Sequence, residues 1–209
     1  VEKTYTEFVR SGALLEGEER ERLKAINEEL SATSVKYGQN ILSENNAYQL
    51  VLESKDLIGV PSSIRDMASE RAKELGHSGK YVFTLHKPSL VPFLTYAENR
   101  ALREEIYTAY LNRCNNNNEL DNKQLINDFI RLRIEKAKLL GYKNYADYVI
   151  SNEMASTTSA VYDLLDEIWA PAVERAKGEL DEMLPLFEKD HPGEKFASWD
   201  WWYYAEKVR

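Results

Sequence analysis

Apolar residues recur at spacings of three and four along most of the chain, which is the period of an amphipathic helix. The longest runs with this period cover residues 19–44, 121–140 and 159–189. Pro171 lies inside the third run, and because the apolar period continues on both sides of it we expect a kink and no break. The pattern therefore predicts a mainly α chain built as a multi-helix array.

Prolines and glycines mark the limits of the shorter helices. Pro61 favours the first turn of a helix that Gly76 ends, and Pro88 opens a short helix that runs to about Tyr96. The same reasoning predicts further helices within residues 1–15, 102–113, 144–150 and 198–209. The four consecutive asparagines at 115–118 predict a loop, because asparagine side chains compete with the helical backbone for hydrogen bonds.

Two segments alternate apolar and polar residues, which is the period of a strand. The first segment covers residues 48–53, and its residues Tyr48, Leu50 and Leu52 share one face. The second segment, residues 81–85, alternates in the same way. A lone strand leaves its backbone groups unpaired. We therefore expect these segments, about 48–53 and 81–85, to form a small two-stranded ribbon.

Composition limits the classes of partner. The 209 residues are 43% hydrophobic and 30% charged, which is typical of a globular protein. The net charge of -8 disfavours nucleic acid as a partner. No apolar run approaches the roughly 20 residues that span a bilayer, so no membrane partner is expected. The single cysteine, Cys114, suits a reducing compartment and favours a cytoplasmic location.

The sequence contains no recognisable catalytic or metal-binding motif. The three histidines are His77, His86 and His191, and no two of them are four residues apart as a helical metal site requires. A Gly-rich phosphate loop and a G-x-S-x-G elbow are also missing from the sequence. We therefore assign no catalytic, cofactor-binding or metal-ligating residue, and we expect the histidines to lie at the surface or in turns.

The aromatic stretch at 199–204 allows two interpretations. Trp and Tyr combine apolar area with a polar tip, so the stretch could line a binding groove. The interpretation that we favour is packing against a further part of the polypeptide, because dense aromatic clusters are rare on free surfaces. The chain starts without Met and stops inside a predicted helix, so we expect it to be a fragment of a larger protein.

Several segments resemble the thimet-oligopeptidase family of zinc metallopeptidases. The segment FTLHKPSLVPFLTYAENRALRE (83–104) matches its Phe-Thr-Leu-x-x-Pro-Ser signature and the Tyr-Ala-x-x-Arg helix that follows. The segment WDWWYYAEKVR (199–209) is similar to the one that precedes the catalytic core of the family. FVRSGALL near the start and residues 111–155 also fit. The asparagine run with Asp121-Asn122-Lys123 resembles the peptidyl-dipeptidase (dipeptidyl carboxypeptidase) branch more than the oligopeptidase branch.

The resemblance implies a large, two-lobed helical parent with a deep channel for peptide substrates. One zinc, held by H-E-x-x-H and a downstream Glu, would activate water, and dipeptides would leave from the free C-terminus. This chain contains no H-E-x-x-H. Residues 1–209 would then be a single helical unit in the N-terminal half of the parent, inactive alone, with the rest of its own polypeptide as partner. His86, Ser89 and Arg103 would belong to the channel wall.

Two alternatives remain open from the sequence. The parent could be an endo-acting oligopeptidase of the same family, which cuts peptides internally. The chain could instead be a helical protein-interaction scaffold with no enzymatic parent, which the long helices predicted at 19–44 and 159–189 motivate.

Overall fold

The computed structural model describes all 209 residues, Val1–Arg209. The chain is mainly α-helical with one small antiparallel ribbon, as the hydrophobic pattern predicts. The helices are α1 (Glu2–Arg10), α2 (Gly17–Ala47), α3 (Ser62–Glu74), α4 (Lys87–Tyr96), α5 (Arg100–Leu111), α6 (Lys123–Leu139), α7 (Tyr145–Ile150), α8 (Thr158–Asp190) and α9 (Trp201–Lys207). None of them is both long enough and apolar enough to cross a bilayer.

Local capping explains where these helices start and end. Pro61 lies at the N-cap of α3, and Gly76 follows its end with a φ of +83°, a conformation that glycine adopts without strain. The Asn99 side chain caps α5 by accepting a hydrogen bond from the Leu102 amide. The predicted helix at 198–209 is a 3-10 turn over Ser198–Asp200 followed by α9, which ends at Lys207.

Helix α8 runs without a break through Pro171 and also contains Pro185. Proline has no amide hydrogen, so each position removes one helical hydrogen bond. The predicted continuity across Pro171 is confirmed.

The ribbon is shorter than the two alternating segments. Strand β1 (Leu50–Leu52) pairs antiparallel with β2 (Tyr81–Phe83), with Leu50 opposite Phe83 and Leu52 opposite Tyr81. Helix α3 packs against β2. In β1, Leu50 and Leu52 are buried and Val51 is half-buried, as the alternation predicts. In β2, Val82 is as buried as Phe83, so both faces of that strand are covered and the alternation does not identify its inward face.

The residues group into two compact units, and the second holds most of the core. The second unit comprises residues 41–120 and 171–209. One of its clusters surrounds the ribbon and α4, where the rings of Phe83 and Phe93 are 4.5 Å apart. Another cluster joins α8 to α9, and it consists of Met183, Phe187, Tyr203 and Tyr204.

The first unit, residues 1–40 and 121–170, buries much less apolar surface. Its buried apolar residues are Leu23, Ile26, Leu132 and Ala137. It also contains polar contacts: Asn40 Nδ2 donates to Asn122 Oδ1 over 2.8 Å, and both amides are buried. The expectation that residues 1–209 form one unit of a larger two-lobed enzyme stays a prediction.

Candidate functional site

The two segments that carry the family motifs meet in the second unit through buried charges. Arg103 in α5 donates from Nη2 to Asp200 Oδ1 over 2.9 Å. Arg100, one turn earlier, donates from Nη2 to Asp200 Oδ2 over 2.9 Å. The side chains of Arg103 and Asp200 are both wholly buried. This cluster, Arg100–Arg103–Asp200, is the most distinctive polar arrangement in the unit.

The remaining polar atoms of the Arg100–Arg103–Asp200 cluster also have partners. Arg103 Nη1 donates to the carbonyls of Ala97 and Glu98, over 2.8 and 3.1 Å. Asp200 Oδ2 accepts the Ala197 amide over 3.0 Å. The hydrogen bonds that Arg100 donates to Asp200 raise the pKa of Arg100, although partial burial opposes this shift. A carboxylate whose two oxygens accept hydrogen bonds from two arginines and a backbone amide is suited to fixing structure, because its acceptor positions are taken up by partners within the chain.

Aromatic rings cover the Arg100–Arg103–Asp200 cluster. The Tyr107 ring lies 6.4 Å from Trp199 and 6.0 Å from Trp202, and the Arg103 guanidinium lies 4.2 Å from the centre of the Tyr203 ring. Tyr204 is wholly buried, whereas Trp202 is 39% exposed. The favoured expectation is wrong for Tyr203 and Tyr204, which are buried within the chain itself. For the more exposed Trp199, Trp201 and Trp202 it stays a prediction.

A small polar cavity of about 250 Å³ lies beside this cluster and is lined in part by Glu98 and His191. Asp190 Oδ2 accepts hydrogen bonds there from Tyr204 (3.1 Å) and Lys207 (3.2 Å). Burial and the charge of Asp190 raise the pKa of Tyr204. Burial opposes ionisation of Asp190, but the hydrogen bonds from Lys207 and Tyr204 lower its pKa overall. The tyrosine therefore keeps its proton and the carboxylate stays ionised, which suits a stable ion pair better than proton transfer.

A more apolar cavity of about 520 Å³ lies between α3 and β2. His86 and Ser89 line it, but they do not form a nucleophile–base pair. Ser89 Oγ accepts the Thr84 amide over 3.0 Å, and His86 Nε2 lies 3.2 Å from Asn46 Oδ1. The assignment of His86 and Ser89 to a channel wall stays a prediction. For Arg103 the assignment is wrong, because its side chain is in the interior and held by Asp200.

The histidines and acidic residues do not assemble into a metal site. His77 Nε2 lies 2.9 Å from Gln49 Oε1, and the His191 ring stacks on Phe187 with centroids 5.2 Å apart. No group of three or more His, Cys, Asp or Glu side chains is placed to hold a metal ion. The residues of this chain therefore do not fit the zinc site that the resemblance implies.

Sequence reasoning missed the Arg100–Arg103–Asp200 cluster, although one signal was present. Arg103 lies three residues before Ile106, on the apolar side of α5, and both side chains are buried. A charged residue at a position of the buried face indicates a buried partner. The partner, Asp200, lies 97 residues away and could not be identified from local pattern.

Comparison with known proteins relates the chain to peptidases. The family model described as peptidase family M3 matches residues 93–209, which contain both α5 and the aromatic stretch. The chain is 35% identical over its whole length to the probable cytosolic oligopeptidase A of Arabidopsis thaliana. It is 34% identical to oligopeptidase A of Haemophilus influenzae and 31% identical to dipeptidyl carboxypeptidase of Escherichia coli. The chain spans about 31% of the length of each of these three relatives.

Proposed function

The chain belongs to peptidase family M3, the thimet-oligopeptidase family, and from that premise we propose that it is the helical, non-catalytic part of a zinc metallopeptidase. The parent enzyme would remove dipeptides from the C-terminus of oligopeptides. Zinc and the activated water would belong to a part of the parent outside these 209 residues. The role proposed for this chain is to build and hold the scaffold around which the peptidase assembles.

One observation carries the proposal. The family match over residues 93–209 contains the Tyr-Ala-x-x-Arg helix and the aromatic stretch, and the buried contact between Arg103 and Asp200 joins these two segments directly. Burying two charges is costly unless they are paired and hydrogen-bonded, so such a contact fixes one arrangement of the segments around it. A rigid scaffold function is consistent with this arrangement, because the polar atoms of Arg103 and Asp200 bond to partners within the chain.

The test uses the uninterrupted gene product that contains this chain. It is incubated with an oligopeptide that has a free C-terminus and with the same peptide amidated. The proposal predicts dipeptides from the free peptide only, because an enzyme that reads the terminal carboxylate does not act on the amide. If neither peptide is cleaved, with or without added Zn²⁺, the proposal is rejected.

The second candidate is an endo-acting oligopeptidase of the same family. The identities to relatives named oligopeptidase A, 32–35%, are close to the 29–31% for relatives named dipeptidyl carboxypeptidase, so identity alone does not separate the branches. Internal cleavage of both peptides in the same experiment identifies this alternative.

The third candidate, a helical interaction scaffold with no enzymatic parent, is disfavoured, because the chain belongs to peptidase family M3.

We also propose a cytoplasmic location for the parent. The relatives include one named cytosolic and one named chloroplastic/mitochondrial, both from Arabidopsis thaliana. Microscopy of the tagged gene product tests the location, and an organellar signal would contradict it.

A further inference from the structure

The first half of α8 exposes a dense set of large apolar side chains. Tyr162, Leu164, Leu165, Ile168 and Trp169 are 65, 60, 47, 50 and 70% exposed. Every residue from 159 to 172 is exposed except Val161, which is half-buried. A monomeric soluble protein rarely shows so continuous an apolar surface unless it binds something there.

These residues form one face of the helix. At about 100° per residue, the large apolar residues of 161–173 cover roughly half of the circumference. Asp163, Asp166 and Glu167 fall on the other half. The arrangement is therefore amphipathic, with an acidic side suited to water and an apolar side suited to packing. We call the apolar side, residues 161–173, the α8 face.

The α8 face continues a stripe that is buried further along the same helix. Met183 and Phe187 extend it with helical spacing, and each is only 1% exposed. These two residues pack with Tyr203 and Tyr204 in the second unit. The same type of stripe is thus buried at Met183 and Phe187 and exposed at Leu165 and Trp169.

An uncovered helix of this kind is marginally stable by itself. Isolated helices gain little from backbone hydrogen bonds alone, and most helical stability comes from packing of the apolar face. The α8 face therefore needs an apolar partner surface if α8 is to be a firm element of the protein.

We propose that the α8 face is the docking surface for an apolar surface of the remaining part of the M3 peptidase chain, an inference that rests on the proposed function. Helix α8 lies wholly inside residues 93–209, the stretch that matches the peptidase family model. The chain accounts for about 31% of the length of its relatives, so a large partner surface belongs to the same family fold. The stripe runs into a core cluster, which fits packing within one protein.

The test is amide hydrogen exchange measured by mass spectrometry on the 209-residue chain and on the uninterrupted gene product. Amides at 162–170 are expected to exchange at least about 100-fold more slowly in the gene product, because packing suppresses local opening. Amides at 183–187, which are packed in both, serve as the internal reference. Equal, fast exchange at 162–170 in both samples overturns the proposal.

Matched variants identify the surface responsible. Leu165→Ser and Trp169→Ser are expected to speed exchange at 162–170 in the gene product about tenfold or more. Asp163→Asn and Glu167→Gln, on the opposite side, are expected to leave it unchanged. In the 209-residue chain Leu165→Ser should not shift Tm, because the side chain is already exposed. If all four variants act alike in the gene product, the α8 face is not the docking surface.

Other outcomes separate this inference from the proposed function. Slow exchange in the 209-residue chain together with a doubled mass in light scattering would show that a second copy covers the α8 face, which overturns the inference. An active peptidase with fast exchange at 162–170 also rejects only the docking surface. Slow exchange in a gene product without peptidase activity rejects only the proposed function.

Discussion

Arg103 and Asp200 form a fully buried ion pair, with 2.9 Å between Nη2 and Oδ1, across 97 residues of sequence. Arg103 follows the Tyr-Ala-x-x-Arg motif and Asp200 belongs to the aromatic stretch at 199–204. The pair explains why the two segments that identify the family are also the segments that hold the second unit together. The buried contacts of Arg103 and Asp200 support a structural role for both segments.

Asp200→Ala is expected to destabilise the chain by about 3–5 kcal/mol, because it leaves the Arg103 charge buried without its partner. Urea unfolding followed by tryptophan fluorescence measures the loss. Glu206→Ala is the control, since Glu206 pairs with the exposed Arg209 and such surface pairs contribute about 0–1 kcal/mol. A loss for Asp200→Ala as small as that of the control contradicts a structural role for the pair.

The sequence predicts the elements well and their long-range contacts poorly. Helix limits follow from local chemistry, such as Pro61 before α3 and Gly76 after it, so they are visible in the sequence. The partner of Arg103 depends on how distant segments meet, which no local pattern encodes. The α8 face shows the same limit. Its helical period predicts that Leu165 and Ile168 pack against another apolar surface, but both side chains are exposed in this chain.

Asn122→Ala is expected to destabilise the first unit by about 1–3 kcal/mol. Asn122 accepts from Asn40 Nδ2 over 2.8 Å and donates to the Tyr37 carbonyl over 3.2 Å, so its loss leaves the buried Asn40 amide without this partner and removes a second hydrogen bond from the Tyr37 carbonyl. Thermal unfolding by circular dichroism measures the change. Asn27→Ala is the control, because Asn27 is exposed and bonds only to Lys136. Equal effects of the two substitutions would show that burial of the Asn40–Asn122 pair is unimportant.

Gly59→Ala is expected to cost at least about 2 kcal/mol. Gly59 has a φ of +83°, and an added Cβ would lie 2.3 Å from the backbone carbonyl oxygen of Tyr96. Gly38→Ala is the matched control: it lies inside α2 with open space around it, so alanine should stabilise the helix by about 1 kcal/mol. Opposite signs in chemical denaturation are the expected result, and a shared sign would contradict the account of Gly59.

Tyr48→Phe is expected to stabilise the chain by about 1 kcal/mol at neutral pH, because the Tyr48 hydroxyl is buried without a hydrogen-bond partner. Burial, with the charge of Glu105, raises the pKa of Tyr48 from 10.0 to about 12. Between these two pKa values the folded state keeps the Tyr48 proton that the unfolded state releases. The free energy of unfolding of the chain with Tyr48 is therefore undiminished below pH 10 and falls as the pH rises from 10 to 12.

The advantage of Tyr48→Phe should therefore grow above pH 10, by up to about 1.4 kcal/mol per pH unit. Denaturant unfolding at about pH 8 and about pH 11 measures the difference. Tyr81→Phe, which replaces a half-buried tyrosine beside the same core cluster, is the control for general alkaline effects. An advantage of Tyr48→Phe that stays constant between the two pH values contradicts the expected coupling.

We propose that these residues form scaffold and not the metal site of an M3 peptidase. The most direct test of this role is metal analysis by mass spectrometry. It is done on the purified 209-residue chain and on the uninterrupted gene product after both are equilibrated with Zn²⁺ and desalted. The account predicts about one zinc per molecule in the gene product and well below about 0.1 in the chain. Stoichiometric zinc in the 209-residue chain would contradict it.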